Sequence, residues 1–160
     1  MKDYKSAIKK AIASSEKKDA NRKTIFQELK NLSKDIFQAT DGRVEIDYTS
    51  ESNFSTSSNL STLLQRNRSP SYSFLLKEAM DFDKTVKTLP ETENNFVIYA
   101  INKDKIKTKL SDLILDPEGY PCTIYADGNK LVAYDAKGFQ SNLYDLISSV
   151  RVGDYLRQIL

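Results

Sequence analysis

The sequence predicts an α+β domain, and three observations carry that expectation. Residues 3–39 repeat apolar or small side chains at a four-three spacing, several later segments alternate every second residue, and two short amphipathic stretches close the chain. The predicted architecture is a long N-terminal helix or helical hairpin, then a mainly antiparallel sheet with a C-terminal β-hairpin, then two short C-terminal helices packed on one side.

The first element rests on Tyr4, Ile8, Ala11 and Ser15, followed in phase by Ile25, Leu29, Leu32 and Ile36. Lys18 and Arg22 fall on the same stripe and make its middle polar, while Phe26 and Phe37 widen its second half. Two structures satisfy that pattern. One is a single helix of roughly 50 Å at 1.5 Å per residue. The other is a pair of helices broken around "SSEKKDAN", with Ser15 or Asp19 capping the second. "TDG" at 40–42 predicts the stop, because Gly42 takes a left-handed conformation without strain.

"RVEIDYT" alternates Val44, Ile46 and Tyr48 with Arg43, Glu45 and Asp47, the period of a half-buried strand. "SESNFSTSSNLST" reads as a long surface loop or mobile segment, with a loop preferred; Ser/Thr at 50, 52 and 55–58 do not by themselves support phosphorylation. Beyond Pro70, Tyr72, Phe74 and Leu76 suggest a strand, and "DFDKTVKTL" a further strand or a frayed helix end. "NNFVIYAIN" is β-rich and apolar on both faces, which predicts a central strand over 95–101. "KDKIKTKLSDLILD" places Ile106, Leu110, Leu113 and Ile114 at helical spacing and predicts a helix ending before Pro117.

"CTIYA" and "KLVAYD" flank "DGN", so strands are expected at 121–126 and 131–135 around a tight turn. The period of two puts Cys122, Ile124 and Ala126 on one face and Thr123 and Tyr125 on the other. "NLYDLISSV" and "VGDYLRQIL" predict two helices meeting near Gly153, with Leu143, Leu146, Ile147 and Val150 on one stripe. Tyr155, Leu156, Ile159 and Leu160 form another, so the C-terminus is expected to dock on the body. The domain reading is a single unit over 1–160, comprising a helical arm at 1–40 and an α+β body at 43–160 with 50–70 as its loop.

Composition narrows the chemistry. With 160 residues, the chain is long enough to bury a core without metal or disulfide. Its single cysteine, Cys122, excludes an internal disulfide framework and fits a reducing compartment. No signal-peptide pattern and no membrane-length apolar run occur, so a cytoplasmic location without membrane association is expected. Histidine is absent, which removes Ser-His-Asp and Cys-His relays, imidazole bases and imidazole ligands. One thiol cannot cage zinc or an iron–sulfur cluster, and no phosphate-cradling glycine loop appears, so no cofactor is expected.

Charge is distributed unevenly. Residues 1–40 hold ten Lys/Arg against five Asp/Glu, and residues 111–160 hold four against seven. The ordinary explanation is solvated helix and sheet faces. Cys122, among strand neighbours Thr, Ile and Tyr, reads as a small core residue rather than a nucleophile. A remote catalytic reading joins Asp116, Asp135 and Lys137 of "YDAK" as an Mg²⁺-dependent nuclease site, although Asp135 reads equally as a turn before the next helix. A nucleic-acid reading uses Lys9, Lys10, Lys17, Lys18, Arg22 and Lys23 on the helix with Arg66 and Arg68, but no recognition motif accompanies them.

The reading that elimination leaves is a non-catalytic protein-binding role, of the inhibitor, immunity or adaptor kind, working by occlusion of a partner's surface. The helix with a polar centre suits projection, self-association or gripping a partner. Tyr48 and Phe54 are its candidate aromatic anchors. Asp112, Asp116 and Glu118 form an acidic set for a basic partner.

Overall fold

A computed structural model describes residues 3–54 and 94–160. The element order is α1 (Tyr4–Ala39), β1 (Val44–Ser50), β2 (Asn95–Asn102), β3 (Lys107–Asp116), β4 (Gly119–Ala126), β5 (Asn129–Ala133), α2 (Ala136–Ile147) and α3 (Val150–Ile159). The strand expected around Tyr72, the strand or frayed helix end over 81–89, and most of the Ser-rich segment lie outside the described residues. Residues 51–54, assigned to that segment's start, are helical. Two compact units are present, one of residues 1–48 with 94–160 and one of residues 49–93. The first contains nearly all that follows.

α1 is one helix, so the hairpin alternative is not adopted. Asp3 caps it by accepting from the backbone N–H of Lys5 and Ser6. Its end is the predicted one. Thr40 and Gly42 donate backbone N–H groups to the Ile36 and Phe37 carbonyls, and Asp41 and Gly42 take φ of 50° and 72°. A Cβ on Gly42 would lie 3.1 Å from the Phe37 ring, a second reason for glycine there.

The sheet runs in the order β1-β2-β3-β4-β5 and is antiparallel. β2 is the expected interior strand, buried from Phe96 through Ala100. β4 and β5 form the expected hairpin. Asp127 and Gly128, at φ 49° and 81°, make its two-residue turn between the paired Ala126 and Asn129. Asp127 also accepts from the backbone N–H of Val150 and Arg151, so the turn residue caps α3 as well.

The helix predicted over 103–116 is instead β3 from Lys107 onward, and a β-bulge explains the error. Ile98 pairs with Ser111 but Tyr99 pairs with Lys109, which leaves Leu110 as an extra residue. That insertion puts the buried residues Leu110 and Leu113 three apart, a helical interval, although Leu113 and Leu115 follow the strand period. The bulge is tied down by side chains. Ser111 Oγ accepts from the Tyr125 N–H at 2.8 Å, and Arg151 donates to the Lys109 and Leu110 carbonyls.

Cross-strand register collects one apolar face: Phe96 beside Leu113 and Ile124, then Leu115 beside Cys122 and Ala133. Cys122, Ile124 and Ala126 are buried together as their spacing predicts. α1 and α2 touch each other and both rest on β4, which puts them on this face. Ile25 and Leu29 of α1, and Phe139, Leu143 and Leu146 of α2, complete the core. The two C-terminal helices are as expected but meet at Ser148 and Ser149, where Ser149 caps α3. Gly153 lies inside α3, and Val150, placed on the stripe by spacing, is exposed. The terminal Leu160 side chain is also exposed; its carbonyl accepts from Arg43.

β1 is an edge strand among the described residues, and three of its outward N–H groups donate to side-chain oxygens. Val44 N–H donates to Thr40 Oγ1, Ile46 N–H to Ser33 Oγ and Tyr48 N–H to Asp47 Oδ1. These alternate residues point their N–H groups to the same side, so three successive donors of that row are satisfied by side chains.

Candidate functional site

Helix α1 changes character along its length. From Arg22 onward it is anchored. Arg22 is buried, donates to Asn94 Oδ1 at 3.1 Å, and its guanidinium lies 5.9 and 5.7 Å from the ring centres of Phe26 and Phe96. Burial pushes its pKa down, with Asp19 opposing. Phe26 stacks on Tyr48 at 4.7 Å and meets Phe96 edge-on at 5.3 Å. The polar centre of the stripe is therefore a cation held on aromatic faces. Sequence spacing placed Arg22 on the stripe without revealing that cage, because Phe96 is distant in the chain.

The anchor ends at the β3–β4 turn. Asn21 Nδ2 donates to the Glu118 carbonyl, and Lys17 forms a surface ion pair with the Glu118 carboxylate at 3.8 Å. Gly119 sits beneath the helix; a Cβ there would meet Asn21 Cβ at 2.8 Å.

Before that point the helix is uncovered. Every residue from Asp3 to Ala13 is exposed, including Tyr4 (73%), Ile8 (61%) and Ile12 (54%). At about 100° per residue, Tyr4, Ile8 and Ile12 lie within about 80° of one another, on the side of α1 that later docks Arg22 and Leu29. The stripe thus continues after the sheet has stopped covering it. Ile12, four residues beyond Ile8, was passed over in favour of Ala11 because strict four-three counting selects the latter. The i, i+4 repeat of isoleucine was the available signal.

The other candidates are dispersed. Tyr48, on β1, is half-buried against Phe26, and burial followed by the Asp47 charge raises its pKa. Phe54 belongs to the second unit. Asp112, in β3, pairs with Lys109 at 2.6 Å. Asp116 closes β3 and accepts from the Glu118 N–H, so Asp116 and Glu118 share one turn. Asp135 is the N-cap of α2, accepting from Gly138 N–H at 2.7 Å, and Lys137 is exposed in that helix's first turn. Among the described residues no group of three or more Cys, Asp or Glu could hold a metal ion. Lys9, Lys10, Lys17, Lys18 and Lys23 spread around α1, Arg22 faces inward, and Arg66 and Arg68 lie outside the described residues.

A groove of about 470 Å³ runs between the second half of α1 and β1. Leu29, Phe37, Ile46 and Tyr48 give it apolar walls; Lys30 and Lys34 border it from the helix, and Glu45 and Asp47 from the strand. Those opposite charges on facing borders complement each other, and the groove presents no convergent catalytic set.

Cys122 is buried, and burial pushes its thiol up to about 12. Tyr120, whose buried hydroxyl has no hydrogen-bond partner, is also pushed up to about 12, by burial first and then by Cys122, Asp135 and Glu28. Two results are expected. Thiol reagents at pH 8 should label Cys122 only after unfolding. Stability should also fall as pH rises from about 9 towards 12, because the unfolded thiol ionises from its ordinary 9 while the folded thiol stays protonated. Cys122→Ala should flatten that decline in urea melts taken across the range; an unchanged slope would assign the effect to Tyr120 instead.

Among the described residues no helix is long and apolar enough to cross a membrane. No family model, no curated protein and no solved structure matches this chain.

Proposed function

We propose that this protein acts by binding another protein, without catalysis, and that the uncovered N-terminal turns of α1 are its gripping element. The observation supporting this reading is the exposure of Tyr4, Ile8 and Ile12 on a stripe whose continuation forms the core. A short isolated helix is marginal in water. Here the docked half supplies the nucleus, so about four turns stand preformed and the ordering cost of binding is reduced. Such i, i+4 and i+8 anchors are the means by which a helix fills a partner's groove. Occlusion of a partner's working surface, as by an inhibitor, an immunity protein or an adaptor, follows as the mode of action. Asp116 and Glu118, beside the point where the helix leaves the body, extend the surface to basic groups of the same partner.

The test is affinity capture by the tagged protein from its own host's lysate, with and without nuclease, read by mass spectrometry. One stoichiometric protein that survives nuclease and is lost with Ile8→Asp/Ile12→Asp is the expected result. Both positions are solvent-exposed, so the variant should keep the wild-type melting temperature. A nuclease-sensitive mixture would favour the lysine-based nucleic-acid reading, whose affinity must fall steeply with salt. Recovery of the protein alone would overturn both.

A further inference from the structure

The relief of α1's free turns is more specific than an apolar stripe. Rows of residues four apart lie side by side around a helix, each about 60° from the next, and helices pack by seating one such ridge in another's groove. Tyr4, Ile8 and Ile12 form one row, a ridge of large side chains. Ala7, Ala11 and Ser15 form the next, a furrow of small ones. Lys5 and Lys9 border the ridge on its far side, and Lys10, Ser14 and Lys18 border the furrow. Between Asp3 and Lys18 there are five lysines and two acidic residues, Asp3 and Glu16.

We infer that the surface covering these turns is an α-helix of a partner protein, with an apolar ridge of i, i+4 spacing for the Ala7–Ala11–Ser15 furrow and carboxylates flanking that ridge to meet the lysine rows. The inference rests on the protein-binding reading and specifies the partner's chemistry. The furrow is what selects a helix. Small residues four apart let a neighbouring helix approach closely, whereas a lipid interface rewards a broad face of large apolar groups, here limited to three. Charge selects against a second copy. Two such segments side by side would set ten lysines against four carboxylates, and like charge across an interface costs affinity.

The experiment compares four tagged proteins in the capture described above, at low and at physiological salt. These are wild type, Ala11→Phe, Lys5→Glu/Lys9→Glu/Lys10→Glu, and Lys103→Glu/Lys105→Glu as a charge control on the body. Ala11→Phe keeps the helix and adds apolar area while filling the furrow. The inference expects it to reduce recovery of the captured protein by about ten-fold or more, the scale of an overpacked interface. The triple charge reversal should reduce recovery by a similar factor and abolish its salt dependence, and the body control should bind as wild type does. A protein captured equally well by Ala11→Phe would overturn the helix-in-furrow inference while leaving the protein-binding reading in place. Loss with Ala11→Phe but not with charge reversal would overturn the acidic flank. Two direct probes dispose of the other occupants. Co-sedimentation with vesicles of phosphatidylglycerol and phosphatidylcholine in equal parts, strengthened by Ala11→Phe, would assign the stripe to an anionic lipid surface and overturn the inference. A dimer in sedimentation velocity that Ile8→Asp dissociates would assign it to a second copy, with the same consequence. Failure to capture any protein would overturn the protein-binding reading and the inference together.

Discussion

Replacing Phe96 with alanine is expected to lower the stability of the fold by about 3–5 kcal/mol, the range for deleting a fully buried aromatic ring. The side chain is 1% exposed and meets three neighbours at once: Phe26 at 5.3 Å, Tyr48 at 6.5 Å and the Arg22 guanidinium at 5.7 Å. The deletion therefore opens a cavity and also strips one of the two aromatic faces that hold a buried cation. Urea denaturation should show a lower midpoint with an unchanged slope. Phe96→Leu, which fills most of the volume but offers no ring face, should cost less than the alanine change yet more than a volume-matched swap elsewhere in the core. Equal, small losses for both variants would show that the aromatic cage contributes little to docking α1.

Gly119→Ala is the second large effect, expected at about 2–4 kcal/mol from overpacking together with the left-handed backbone. Gly119 has φ +92°, and its new Cβ would stand 2.8 Å from Asn21 Cβ and 3.4 Å from the Arg22 backbone nitrogen. Neither obstacle is the tip of a flexible side chain, so helix and turn must separate. The separation falls beside the Lys17–Glu118 and Asn21–Glu118 links and so at the place where α1 departs from the sheet. A lowered melting temperature, with coupling to Asn21→Gly in a double-mutant cycle, is the expected signature. Additive effects of the two changes would mean that the strain is all in the Gly119 backbone.

Periodicity reported most of the architecture because local patterns and tertiary burial agree in most elements. Val44 and Ile46, or Cys122, Ile124 and Ala126, are buried at the alternation their strands require. The Asp127–Gly128 turn and the Asp41–Gly42 stop follow from backbone chemistry that needs no distant partner. β3 defeated the pattern because its bulge at Leu110 shifts the phase midway, and only the register with β2 and β4 discloses it. Arg22 makes the middle of the stripe polar, and a cation on an apolar stripe is costly when unpaired. Its aromatic partners come from β2 and from one helical turn away, and only the fold brings them together. For the candidate site, Tyr4 and Ile8 were legible as stripe residues, but whether a stripe is covered is a question of where the sheet ends. The Gly119 turn decides it.

The side-chain oxygens of Thr40, Ser33 and Asp47 along β1 have a bearing on how this protein behaves in a crowded solution. A bare outer strand invites a foreign strand to zip alongside it, and chains that recruit one another in this way build fibrils. On β1 the N–H groups of Val44, Ile46 and Tyr48, which such a stranger would seek, already have an oxygen each, so addition there would first have to break three bonds. The opposite margin, β5, is five residues long and carries Lys130, which discourages recruitment by brevity and charge. With both margins of the described sheet so discouraged, the molecule can keep the exposed Tyr4, Ile8 and Ile12 stripe in water with less risk of chain-to-chain recruitment.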